Sequence, residues 1–245
     1  MLMIFVKVPY DIGSLGKNYG SGKAPDCLFE KKSNEKQVIE VKVDNSNIDL
    51  TMENISHAKG DFFIGGDHSI TYGSFKGFAK EFNNPGIIVF DAHPDLEVST
   101  SSVTHEDYLR KLIDDGILKK ENVILVGIRN ISKNELSFLN GMKYFTMERI
   151  FRDEENICDS VMEMALKFDG LYLSIDIDVL DPAFAPGTGY LEAGGMSVTE
   201  LLYFLKRLRN LRNLKRIDLV EINPDRDVNG ITVKIGRKII EAMTG

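Results

Sequence analysis

The chain has 245 residues, a formal net charge of -7 and a hydrophobic fraction of 43%. That length supports a sizeable core in one catalytic domain, expected to span residues 1–245, and the interspersed acidic and basic residues offer no surface for nucleic acid or another polyanion. No apolar run reaches the ~18 residues of a membrane span, MLMIFVKV (1–8) lacks the preceding basic residues of a signal peptide, and Cys27 and Cys158 form no C-x-x-C pattern. The expectation is a cytoplasmic protein with no membrane partner, no thiolate metal site and two small buried thiols.

Taken in chain order, short runs rich in β-branched and aromatic residues predict strands at 2–8, 37–43, 61–66, 86–91, 122–128, 171–176 and 216–222. Between them, apolar residues near the helical period predict helices close to 68–83, 105–115, 132–140, 155–168, 197–210 and 231–243. Such alternation implies right-handed crossovers. The expected fold class is therefore α/β, a three-layer αβα sandwich with a mainly parallel central sheet.

One glycine-rich segment carries a false signal. GSGKA (20–24) follows the first predicted strand, but a phosphate-binding loop needs Gly where Lys17 stands and Ser or Thr where Ala24 stands. GSLGKNYG (13–20) likewise lacks G-x-G-x-x-G spacing, so the segment is predicted to be a surface turn.

In a parallel sheet, ligands gather outside the carboxyl ends of the strands. The residues just beyond those ends are Asp67 and His68, then Asp91, His93 and Asp95, then Asp176, Asp178 and Asp181, and finally Glu221. Any one of these reads as a solvated loop tip; four coincident strand ends point to a site. In DAHPD (91–95) and SIDID (174–178) the ionisable groups sit two apart, a spacing that puts them on one face of an extended segment. So many carboxylates repel one another unless cations neutralise them. Two His and four Asp suit two ions of manganese or a similar first-row metal, with zinc, cobalt and nickel left open. His57 precedes a predicted strand and reads as structural, Asp67 as fixing a turn or orienting a ligand, and Asp181 as capping a turn.

GGDHS (65–69), DAHPD (91–95), SIDIDVLDPAFAPGTG (174–189) and EINP (221–224) resemble, in order, the motifs of the arginase and agmatinase family, the ureohydrolases. The resemblance runs from about residue 60 to the C-terminus; VPYD (8–11) and SGKAPDCL (21–28) are only loosely similar to the family's opening. It implies two Mn2+ per subunit, one held by His68, Asp91, Asp95 and Asp176 and the other by Asp91, His93, Asp176 and Asp178, with Asp91 and Asp176 shared. It further implies attack of an activated water on a guanidinium carbon, giving urea and an amine. The catalytic residues it implies are His105, Glu221 and Asp178, with His105 moving the proton and Glu221 accepting hydrogen bonds from the guanidinium. Glu106 and Asp107 depart from the Gly that usually follows this His in the family.

The implied substrate is a small guanidino compound. The short interval from His93 to His105 and PGTG (186–189) resemble agmatinases, which cleave agmatine to putrescine and urea, whereas Tyr190-Leu191 replaces the Thr-Pro common after GTG. The hydroxyl-rich STSSVT (99–104) offers donors for a carboxylate, so arginine, formiminoglutamate and guanidinobutyrate stay open. The resemblance also implies a homo-oligomer, trimer or hexamer. Two rivals from other classes are a catalytically silent metal-binding assembly subunit and another metal hydrolase such as a deacetylase, which would not require Glu221.

Overall fold

The computed structural model describes residues 3–29, 37–99 and 102–245. Residue 2, at the head of the first predicted strand, and residues 100 and 101, within the hydroxyl-rich segment 99–104, lie outside the described residues.

Eight strands form one sheet: β1 (Ile4–Val8), β2 (Gln37–Glu40), β3 (Phe62–Gly65), β4 (Pro85–Phe90), β5 (Val123–Ile128), β6 (Lys143–Thr146), β7 (Gly170–Asp176) and β8 (Leu214–Val220). Their order is β2-β1-β3-β8-β7-β4-β5-β6, and every pairing is parallel. Seven strands fall on predicted runs. The eighth, β6, is a four-residue edge strand with one buried side chain, so it lacks the apolar run by which a strand is recognised.

The helices are α1 (Ala24–Leu28), α2 (Ile48–His57), α3 (Ile70–Ala79), α4 (Tyr108–Asp114), α5 (Lys133–Phe138), α6 (Met147–Arg152), α7 (Glu154–Ala165), α8 (Val198–Leu208) and α9 (Ile231–Thr244). Six match predicted helices. Of the unpredicted three, α1 and α6 are short, and α2 buries only Met52 and Ile55 as apolar side chains. Its start is fixed by a cap: the Asn47 side chain accepts from Leu50 N at 3.0 Å.

Strand pleating divides the core into two layers. Phe5, Phe62, Ile88, Leu171 and Leu173 face one side with Leu28 of α1, Ile150 of α6, Val161 of α7, Phe204 of α8 and Ile239 of α9. Val6, Phe63, Ile87, Val89 and Tyr172 face the other with Ile55 of α2, Phe75 of α3 and Leu109 of α4. The sheet is thus covered on both faces, a three-layer αβα sandwich. Cys158 is buried within the first layer, while Cys27 is only half-buried rather than the buried thiol expected.

A fully parallel sheet brings all strand carboxyl ends to one edge. The four strands ahead of the predicted site motifs, β3, β8, β7 and β4, are consecutive in the sheet. Their loops therefore open onto one another across the centre. Gly66 permits the tightest approach there, since a Cβ at this position would lie 1.9 Å from the Tyr10 carbonyl oxygen.

Candidate metal centre and cleft

The site is built by the turns that end the central strands. Asp91 follows β4 and continues its ladder, its N–H donating to Val126 O at 3.0 Å. Its carboxylate then turns back on its own chain, Oδ1 accepting from His93 N at 2.7 Å. Asp176 repeats the device at the end of β7, with Oδ1 accepting from Asp178 N at 2.8 Å. The two-residue spacing therefore does not reflect an extended segment, as expected from the pleat. It reflects aspartates capping tight turns through the second following N–H: Ile177–Val179 is a single 3-10 turn, and Asp95 has φ +54°. The side chains converge because the chain curls around them.

His68 Nδ1 lies 3.1 Å from an oxygen of each of Asp91, Asp95 and Asp176. His93 Nδ1 lies 3.4 Å from Asp91 Oδ1 and 3.1 Å from Asp178 Oδ2. Asp91 stands between the groups, Oδ2 toward His68 and Oδ1 toward His93. His68, Asp91 and Asp176, and separately Asp91, His93 and Asp178, present ligand atoms close enough together to hold one cation each. All six predicted ligands are thus brought together, five of them buried and His93 partly so.

The electrostatics match a cation site. Burial, with Asp91 nearby, raises Asp95 to about 8. Burial likewise raises Asp176, which also faces the charges of Asp178 and Asp91, and Asp178, which faces that of Asp91. Burial would lower the His93 imidazole, but Asp178 and Asp91 beside it raise it instead. Despite complete burial, His68 Nδ1 and Asp91 Oδ2 make no hydrogen bond. Orphaned nitrogen and oxygen atoms within a hard donor set fit divalent first-row ions.

Outer contacts fix these ligands. His68 Nε2 lies 2.8 Å from Ser174 Oγ, which donates to Asp218 Oδ1 at 2.6 Å; Thr71 and Tyr172 hydroxyls donate to Asp218 Oδ2 at 2.7 and 2.6 Å. His93 Nε2 lies 3.5 Å from Glu192 Oε1, which also accepts from Asn130 at 2.8 Å. Such partners set the ring orientation and tautomer of a ligating histidine.

Glu221 follows β8 at φ +65°, a conformation costly for a residue with a side chain. Its N–H donates to Gly66 O at 2.7 Å. Oε1 accepts from His68 N at 2.7 Å and faces His105 Nδ1 at 3.3 Å, while Oε2 accepts from Asn18 Nδ2 at 2.5 Å. Burial would raise this carboxyl, but His105 outweighs it and holds it low. Burial correspondingly would lower His105, yet Glu221 and then Asp67 and Asp95 lift it to about 9. His105 precedes α4 and is 4% exposed, so it is not a solvent-facing helix-start histidine. Its Nε2 has no hydrogen-bond partner.

The predicted ligands other than Asp91, together with His105 and Glu221, line a cleft of about 180 Å³, also walled by Glu97, Glu106, Asn130 and Tyr190. Asn18 was invisible in the sequence because it acts from 203 positions away. Asp218 left a trace, a lone carboxylate inside the apolar run RIDLV (216–220). The residues set aside behave as structural groups. Asp67 Oδ1 accepts from Ser69 N at 2.9 Å, Asp181 accepts from Ala183 N and Gly194 N at 2.9 and 2.7 Å, and His57 pairs with Glu53 at the end of α2. In the false phosphate loop, Gly20 and Gly22 N–H donate to Asp11 Oδ2 at 2.8 and 3.2 Å, so a carboxylate of the chain itself occupies that turn.

Residues 3–245 match the model of the arginase family. The chain is 32% identical over 255 residues to an arginase of Staphylococcus aureus (strain COL), covering 92% of this chain and 82% of the relative. The crystal structure of arginase from Bacillus subtilis superposes with a TM-score of 0.89 at 28% identity, covering 100% of this chain and 99% of that one. The agmatine ureohydrolase of Thermoplasma volcanium shares the fold with a TM-score of 0.83 at 22% identity, covering 98% of this chain and 88% of that one. With the match spanning the whole sheet and every strand end that builds the cleft, the chain belongs to the arginase family, hydrolases that act on amidino C–N bonds.

Proposed function

We propose that this protein hydrolyses a small guanidino compound to urea and a primary amine, with agmatine, yielding putrescine, as its substrate. The observation that carries this reading is Asp91, which presents one oxygen to each of two histidine-carboxylate groups on the floor of an acidic cleft. His68, Asp91, Asp95 and Asp176 would hold one Mn2+, and Asp91, His93, Asp176 and Asp178 would hold the other. When bound, such a pair supplies Lewis acidity and activates water near neutral pH.

The remaining steps belong to side chains. A guanidinium cation is drawn into a cleft whose lining includes seven carboxylates, Asp95, Glu97, Glu106, Glu135, Asp176, Asp178 and Glu221. Glu221, clamped by Asn18 and the His68 amide, accepts N–H bonds from the planar head and fixes its carbon above the ligands. Water adds to that carbon and gives up both its protons in forming the urea carbonyl; the bond to the alkyl nitrogen breaks with its electron pair passing to that nitrogen, which takes up one proton directly and one by way of His105. His105, its Nδ1 beside Glu221, gives the proton from Nε2 to the leaving nitrogen.

The second reading is an arginase, favoured by the name of the Staphylococcus aureus relative. Urea release after manganese loading, measured with agmatine, arginine and shorter guanidino acids, decides between them. No release from any of these with both metal positions filled defeats both readings and supports the silent assembly subunit. Glu221→Gln distinguishes a deacetylase-like hydrolase, because only amidino hydrolysis requires that carboxylate; the variant is expected to retain metal and lose urea release. A trimer or hexamer is expected, and light scattering of the eluted protein tests it.

A further inference from the structure

Beyond the groups already assigned to the site, the charged side chains of the cleft carry one sign. Glu97 and Glu106 line the cleft, and no Lys or Arg is among the described lining residues. Arg129, next to lining residue Asn130, is directed elsewhere, donating to the carbonyls of Gly127, Asp178, Val179, Leu180 and Glu192. Apart from the site histidines, a substrate carboxylate therefore meets no basic side chain among the described lining residues, while Glu97 and Glu106 repel it.

Glu106 is held in place by the cleft itself. Its Oε1 accepts from Tyr190 OH at 2.7 Å and lies 3.9 Å from His105 Nε2. The Tyr190 ring stacks on His105, centroids 5.7 Å apart and 28° between planes, and tilts against His93 at 5.3 Å. The Glu106 side chain remains 39% exposed and so within reach of a ligand. The imidazole of His105 thus stands between two carboxylates, Glu221 at Nδ1 and Glu106 near Nε2. Its Nε2 is buried without a hydrogen-bond partner, and His105 lines the same cleft.

Resting on the amidino-hydrolase reading, we infer that Glu106, positioned by Tyr190, is the specificity-determining residue for the far end of the substrate, accepting hydrogen bonds from a cationic tail and repelling an anionic one. Glu221 takes the guanidinium and Glu106 the second positive charge, so the cleft selects alkyl chains with a cation at each end. An acid serving only to complement the start of α4 would leave this selection untouched.

The test uses the full chain loaded with manganese and four guanidines that differ in tail charge: agmatine, arginine, butylguanidine and 4-guanidinobutyrate. Wild-type kcat/KM is expected to be highest for agmatine and lowest for 4-guanidinobutyrate, the difference residing mainly in KM. Glu106→Gln is expected to cut the agmatine-to-butylguanidine ratio about tenfold, the size of one charge-assisted hydrogen bond lost in a half-buried cleft. Glu106→Lys is expected to raise 4-guanidinobutyrate relative to agmatine, and Tyr190→Phe to shift the ratio as Glu106→Gln does, but less. Calorimetry provides a readout free of turnover: wild type binds 1,4-diaminobutane more tightly than 1-aminobutane, and Glu106→Gln loses that preference. An equal loss on all four substrates in Glu106→Gln, or an unchanged diamine preference, overturns the inference while leaving amidino hydrolysis standing. Absence of urea from all four in the loaded wild type overturns amidino hydrolysis, and the inference falls with it.

Discussion

Asp91 carries more of the site than any other side chain, because each of its oxygens faces a different ligand group. Asp91→Asn replaces one charged oxygen with an amide nitrogen that cannot ligate. Elemental analysis after manganese loading is expected to show depletion at both positions, and two retained ions would overturn the shared-ligand assignment. His105 lies outside the ligand set, so His105→Asn is expected to keep both ions while kcat falls by about 10²- to 10⁴-fold, the usual range for a positioned proton donor. The strand-end residues were legible in the sequence because their types are costly at buried strand ends and appear together at four of them, whereas His105 was singled out through the family resemblance. Their spacing was legible for the wrong reason: the pleat suggested a shared face, whereas the structure shows two aspartates capping turns onto His93 and Asp178. Asn18 and Glu192 carried no local signal, since each meets its partner only through the folded chain.

At the level of elements, the central strands make the site rigid. Asp218 on β8 ties together Thr71 of α3 with Ser174 and Tyr172 of β7, directly behind His68. Asp218→Asn presents an N–H to a neighbour that needs an acceptor, so manganese affinity by calorimetry is expected to weaken about 10- to 100-fold, as for other outer partners of metal ligands, with unchanged stoichiometry. Phe204 of α8 packs edge-on against Phe90 of β4, ring centroids 5.6 Å apart, at the strand that delivers Asp91. Phe204→Ala is expected to lower unfolding stability by about 3–5 kcal/mol in denaturant titration, the first change to show being loss of metal from the β4 turn. The strongest strands and helices were readable from apolar periodicity. Edge strand β6 and the polar helix α2 were not, because their order comes from neighbours and from the Asn47 cap rather than from an apolar pattern of their own.

For the molecule as a whole, metal binding is expected to be linked to folding. Burial raises Asp95 to about 8, so without a divalent cation it holds a proton at neutral pH, and burial also makes Asp176 and Asp178 keep theirs to higher pH than an ordinary carboxyl. A metal must displace those protons, and affinity therefore grows as pH rises toward 8 and weakens as it falls. Because only the folded chain assembles the site, manganese is expected to raise the thermal midpoint more at pH 8.5 than at pH 6. An equal rise at both values, followed by scanning fluorimetry, would contradict this linkage. By itself the sequence determined the αβα class and which ionisable residues gather at the strand ends, because apolar periodicity and the clustering of ionisable groups are local properties of the chain. Only the tertiary structure decided that β3, β8, β7 and β4 are neighbours, that Asp91 stands between two ligand groups, that Asn18 holds Glu221, and that Glu106 and Tyr190 line the cleft. Those facts depend on strand order and long-range approach, which a parallel sheet sets through crossovers that no local pattern encodes.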